Sequence, residues 1–345
     1  MGWLNSLVQK IAGAAPTDWT LVDNLPDPGL NIAGKSVVPD RCYVEVYVES
    51  MRLEKARSFA TTFNAVVYSF VSLARNGMNR VELASVTKAN HLAELDSTHL
   101  DRVITVSKRI VKAIPWRGDP FGLELGLFSV KSGNLLTQLI NFTVKLSDKV
   151  GISSAAKASP FGSLITEGLD MIAGQTQDTK LELAIDTDLA LNQSCLVALI
   201  AKPKSSFDAS KLSIDGRDRK LLYQNEPLES AYCVFSIRCT DRNAEWGAIP
   251  ALQEAYAEFV QGILSGKHQE AEEALTAFHR QLIVSPDLIS ADKQTLWASA
   301  QADLQEAFPG GGQASDREEL RHRFQNRHLA DLHLYGTPEV TGTSG

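Results

Sequence analysis

The chain has 345 residues, of which 44% are hydrophobic and 22% charged, the balance of a globular protein able to bury one large core or two medium ones. A formal net charge of −7 gives no support to a broad electrostatic grip on nucleic acid, which is not expected as a partner. The four cysteines, Cys42, Cys195, Cys233 and Cys239, are far apart and form no Cys-x-x-Cys. Neither a zinc site nor a disulfide framework is therefore readable, and a reducing, cytoplasmic setting is expected.

Met1 to Gly13 lacks the basic start and continuous apolar centre of a secretory leader. It reads as a short amphipathic helix with Trp3, Leu4, Leu7, Val8 and Ile11 on one stripe. Such a stripe needs a cover, either a partner protein or the chain's own sheet. These five residues are the expected protein contacts. Residues 1–36 as a whole read as this helix plus a linker.

Gly29 to Ser36 spell Gly-Leu-Asn-Ile-Ala-Gly-Lys-Ser, a letter match to the phosphate-loop string G-x-x-x-x-G-K-S. In a nucleotide-binding reading Gly29 and Gly34 shape the loop, Lys35 reaches the β- and γ-phosphates and Ser36 holds Mg²⁺. The flanks argue against it. Pro26-Asp27-Pro28 precedes the string, and Pro39 falls where the required helix would begin, biasing Val38 out of the helical region.

Residues 37–241 read as a β-rich domain. Cys42, Val44, Val46 and Val48 alternate with Tyr43, Glu45, Tyr47 and Glu49, the period of a strand with one buried face. Ala65 to Arg75 and Met78 to Thr87 flank Asn76-Gly77, a pairing that suits a hairpin whose central residues need positive φ. Leu100 to Ile114 fits two templates. Its apolar spacing suits a helix, while Val103-Ile104-Thr105-Val106 suits a strand; Pro115 ends either one. Phe121 to Lys131 is a strand with Leu123, Leu125 and Leu127 on one face.

A helical insertion at about 132–174 interrupts the sheet, with stripes running from Leu135 to Val150 and from Phe161 to Ile172. As a detachable hairpin it could enter a membrane or grip a partner; covering one side of a sheet is the favoured reading. Strands return at Lys180–Asp186, Ser194–Lys202 and Ala231–Cys239. Asp186, Asp188, Asp215, Asp218 and Asp241 cluster at the ends of strands and in turns. If those loops converged, their carboxylates could hold Ca²⁺. The simpler reading is that aspartate favours turns.

After Asp241 the period changes to that of helices. Residues 247–308 form a three-helix unit, with stripes at Leu252–Leu264, Ala271–Leu282 and Ile289–Phe308, the third expected to be capped by Ser290. Pro309 and Gly310-Gly311-Gly312 end it, and 309–345 read as a flexible tail carrying at most one short helix, Asp316–Phe324. Of the seven histidines, His322, His328 and His333 are spaced six and five apart, neither of which aligns two imidazoles as i, i+4 would, and His91, His99, His268 and His279 are isolated.

Strands followed by helices indicate an α+β fold, an antiparallel β-rich, sandwich-like body with a helical appendage. The functional expectation is a non-enzymatic scaffold or adaptor that binds another protein or copies of itself, without a cofactor. A calcium- or membrane-interacting β-module is the alternative, and nucleotide binding through Gly29–Ser36 a second one.

Overall fold

The computed structural model describes residues 19–54, 57–58, 61–75, 78–88, 103–131, 179–310 and 316–335. The expected N-terminal helix with Trp3, Leu4, Leu7, Val8 and Ile11, the Asn76-Gly77 turn, the helical insertion and the last ten residues lie outside these ranges. The described strands are β1 (Thr20–Leu25), β2 (Tyr43–Arg52), β3 (Arg57–Ser58), β4 (Thr61–Arg75), β5 (Met78–Lys88), β6 (Val103–Pro115), β7 (Phe121–Lys131), β8 (Thr179–Leu189), β9 (Cys195–Ile200), β10 (Leu212–Ile214), β11 (Leu221–Tyr223), β12 (Glu226–Pro227) and β13 (Tyr232–Thr240). The helices are α1 (Pro250–Leu264), α2 (His268–Val284), α3 (Ser290–Ala307) and α4 (Arg317–Phe324).

Two antiparallel sheets share one core, and the fold is α+β. The first runs β1-β9-β13-β2-β6. The second runs β5-β4-β7-β8, with β3 paired to the start of β4. Alternation along β2 sends Val44, Val46 and Val48 into this core. A bulge then leaves Glu49 without a register partner, so Val48 faces Phe235 and Met51 faces Cys233. Val48 and Met51, an odd number of residues apart, thereby reach the same buried face. The second sheet contributes Val67, Leu123, Leu125, Leu127 and Leu183 to that core.

Leu100–Ile114 resolves to a strand from Val103 onward: the β-branched run outweighs the helical spacing. β6 is an edge strand of its sheet, where a terminal proline without an N–H is tolerated. β1 takes up part of what reads as linker in the sequence and pairs with β9. The small sheet β10-β11-β12 covers the second face of β9 and β13, burying Leu196, Ala198, Tyr232 and Val234 against Leu212, Ile214 and Leu221.

The helical unit has its own core, built from Leu252, Tyr256, Phe259, Leu275, Phe278 and Leu296 among others. α1 and α2 approach closely at Gly262, where an added Cβ would stand 3.0 Å from the Cα of Ala271. Two expectations are corrected here. Ser290 is the first residue of α3, not its side-chain cap; its hydroxyl donates to Asp40 instead. The stretch read as a flexible tail contributes to the core: Leu320, Phe324, Leu329, Leu332 and Leu334 are all buried there. These residues are sparse among charged neighbours, so composition concealed them.

Sheet and helices are fastened at the start of β2. The Asp40 carboxylate accepts hydrogen bonds from Arg117 and Ser290, and Arg117 also donates to the Leu288 carbonyl at 3.0 Å. Tyr43 reaches past the sheet to Asp292 and accepts from the Ile289 amide at 3.2 Å.

Candidate functional site

The Gly29–Ser36 segment follows β1, and no helix separates it from β2. Gly29, Asn31 and Gly34 have φ values of 93°, 56° and 88°, so the chain winds through left-handed conformations that glycine and asparagine tolerate. The resulting ring of amides is already filled. Asp27 accepts from Leu30 N at 2.6 Å, Ile32 N at 2.6 Å and Ala33 N at 2.9 Å. The next two amides are used as well: Gly34 N donates to Ser194 O and Lys35 N to Ser194 Oγ, both at 2.9 Å. A phosphate loop needs such amides pointed at its ligand. Here a carboxylate of the chain itself takes that place, and Gly29, Gly34, Lys35 and Ser36 do not fit a nucleotide's phosphates.

The five aspartates do not form one cluster. Asp186 and Asp188 lie in β8 of the second sheet. Asp215 lies in the β10–β11 turn, where its carboxylate accepts from Arg217 N and Asp218 N at 2.8 Å each, the aspartate turn chemistry of the simpler reading. Asp218 pairs with Lys220 at 3.2 Å, and Asp241 follows β13. Among the described residues no group of three or more histidine, cysteine, aspartate or glutamate side chains is placed to hold a metal ion. Among the described residues, too, no helix is long and apolar enough to cross a membrane.

The outward face of β2 carries a line of charge. The Glu49 side chain is 1% exposed and is held by Arg219 at 2.5 Å and Arg238 at 2.6 Å. The bulge that brings Met51 into the core also occurs at Glu49. Arg238 stacks over the Tyr47 ring, 3.9 Å from its centroid. Further along, Arg109 bridges Glu45 at 2.8 Å and Glu245 at 2.5 Å. Arg219 has a left-handed backbone, φ 55°, pinned by its carbonyl accepting from Ser50 Oγ at 2.6 Å. Every charge in this line has a partner, which marks it as a structural network.

α3 offers a different surface. A shallow, nearly flat groove runs along its outer side, lined by Ala291, Gln294, Thr295, Ala298, Ser299 and Ala302. None of these is charged, and the Thr295 hydroxyl is turned back onto the Ala291 carbonyl at 3.1 Å. Lys293 donates to the Ile283 carbonyl at 2.8 Å, which draws the end of α2 against the first turn of α3. There Ile283 and Val284 are 59% and 57% exposed.

No family model, curated protein or solved structure matches this chain. The α3 face was within reach of the sequence. Ala291, Thr295, Ala298 and Ala302 recur at helical spacing opposite the apolar stripe, but small residues carry little signal beside the leucines and aromatics of a core.

Proposed function

We propose that the protein is a non-enzymatic scaffold or adaptor that docks another protein, or a second copy of itself, on the outer face of α3. What supports the reading is the uncharged groove lined by Ala291, Gln294, Thr295, Ala298, Ser299 and Ala302, together with the exposed Ile283 and Val284 at the end of α2. The outer face of a solvent-exposed helix ordinarily carries charged and polar residues. A face of three alanines, a serine, a threonine and a single glutamine instead lets a partner element approach closely, because helix separation is set by side chains at the contact. In this reading the stripe of Trp3, Leu4, Leu7, Val8 and Ile11 stays a candidate contact element.

The test is native mass spectrometry of the full chain purified gently from its own cells, with and without Ala298→Glu. The reading expects an oligomer or a stoichiometric protein partner, lost at least tenfold in the variant. A monomer that carries no protein, or binding indifferent to a charge at position 298, would overturn it.

A further inference from the structure

β2 begins at Tyr43 and β13 ends at Thr240, in a register that places Cys239 opposite Val44 and Thr240 opposite Tyr43. Side chains alternate along a strand, so Cys42, two residues before Val44, shares the face of Val44 and Cys239. All three are buried in the core between the sheets. The register makes the two cysteines diagonal neighbours on one buried face. Each also meets a carbonyl of the same overlying segment, Cys42 Sγ lying 3.4 Å from Val38 O and Cys239 Sγ 3.3 Å from Ser36 O. Both S–H groups are thus turned toward one short stretch of backbone.

This pair differs from the other cysteines in three ways. Both of its sulfurs lie against carbonyls of one short segment, at Val38 and Ser36. Its cover is thin: a segment of a few residues that includes exposed Lys35 and Val38, the latter 41% exposed. Its electrostatics favour one thiolate. The hydrogen bond with Cys239 lowers the Cys42 pKa against the opposing effect of burial, and the Lys35 ammonium lowers it further, while Cys239 is pushed up. Burial pushes Cys195 and Cys233 up to about 11 and about 12, leaving them as unreactive thiols.

We propose that Cys42 and Cys239 are a redox-responsive pair that closes to an intrachain disulfide on meeting hydrogen peroxide. The Cys42 thiolate attacks one peroxide oxygen, breaking the O–O bond to give a sulfenic acid on Cys42 and hydroxide, which leaves as water after protonation. The Cys239 sulfur, giving up its proton, then attacks the Cys42 sulfur and displaces the sulfenic hydroxyl as a second water. Two thiols and one peroxide yield one disulfide and two waters. The sulfurs must close to an S–S distance of about 2.05 Å. Closure consumes both S–H donors, so Ser36 O and Val38 O lose these partners.

The full chain is treated with a small excess of hydrogen peroxide, then denatured, alkylated with N-ethylmaleimide and mapped by peptide mass spectrometry. The expected result is a Cys42–Cys239 linked peptide from monomeric chain, with Cys195 and Cys233 alkylated, and full reversal by dithiothreitol. Native alkylation of Cys42 at pH 7 should be at least about tenfold faster than that of Cys195 or Cys233, and about tenfold slower in Cys239→Ala, following its thiolate fraction. The wild-type map needs no variant to fold. Finding both thiols free, a link between two chains, oxidation first at Cys195 or Cys233, or irreversible acids on Cys42 with Cys239 untouched would each overturn the proposal.

Discussion

The hydroxyls of Tyr43 and Tyr335 converge on a single oxygen, Oδ2 of Asp292. Tyr43 comes from the first residue of β2, Asp292 from the first turn of α3, and Tyr335 from beyond α4, where its oxygen also accepts from the Asn243 amide at 2.8 Å. One buried carboxylate therefore ties the sheet, the third helix and the chain beyond α4 together. Replacing either tyrosine by phenylalanine should cost about 1–2 kcal/mol in urea unfolding. The double variant should depart from additivity by about 0.5 kcal/mol or more, because both hydroxyls serve one oxygen. Burial, reinforced by Asp292, raises both tyrosines above their ordinary pKa. A raised folded-state value means this stabilisation is complete below about pH 10, the unfolded tyrosine value, and is lost as pH rises beyond it. Alkaline unfolding should be shallower in Tyr43→Phe than in the parent.

Asp27 supplies the acid counterpart. Burial pushes its carboxyl up, but hydrogen bonds from the Ala33, Ile32, Leu30 and Gly29 amides outweigh that and hold it below the ordinary carboxylate range. A lowered folded-state value gives stability that is complete above about pH 4, the unfolded aspartate value, and is lost as pH falls through the folded value. Asp27→Asn keeps the shape and removes the charge. It should cost about 1–3 kcal/mol at pH 7, with the difference from the parent shrinking below pH 4, as followed by thermal unfolding across pH.

Glu49 is the buried partner of two arginines whose side chains are 23% and 28% exposed. Removing one member of a fully buried ion pair costs about 3–5 kcal/mol. Partial exposure of both arginines reduces the expectation for Glu49→Ala to about 2–4 kcal/mol in urea unfolding. A loss under 1 kcal/mol would mean the network is solvated.

In the helical unit, Asp303 accepts from Tyr256 at 2.7 Å and from Arg327 at 2.5 Å. The Asp303 side chain is 4% exposed and that of Arg327 31%. Burial raises the Asp303 pKa despite both partners, so the arginine is what makes its charge tolerable. Arg327→Met should destabilise by about 2–3 kcal/mol at pH 7, less than for a fully buried pair. A group with a raised folded-state value loses stability as pH rises, and the variant raises that value further. The penalty should therefore diminish toward pH 4, measurable as a narrowing gap in melting temperature.

The sheets were legible wherever period two was clean. Cys42–Val48, Leu123–Leu127 and Cys233–Cys239 each face the core as their alternation indicates. What alternation could not show was the bulge at Glu49, because an extra residue changes parity without a composition signal. β10, β11 and β12 escaped for a related reason: strands of two or three residues have no measurable period. The helices after Ile249 were legible in type and extent, and α4 was legible as a helix but not as part of a core. The site was harder. A motif string records which residues stand at which spacing, and nothing in Gly29–Ser36 says that Asp27 folds back to claim its amides. The α3 groove is defined by what its side chains lack, and Cys42 and Cys239 come to one buried face through strand register across nearly two hundred positions of chain.

Left-handed backbone usually invites glycine, and by that rule Arg219 should be improved by substitution. Its guanidinium, however, is one of the two that neutralise Glu49. Relaxing the turn would strand an acid inside the molecule, so local geometry and long-range charge cannot both be optimised at this position. Stabilising searches that judge each residue by its own dihedral angles would choose the wrong exchange here.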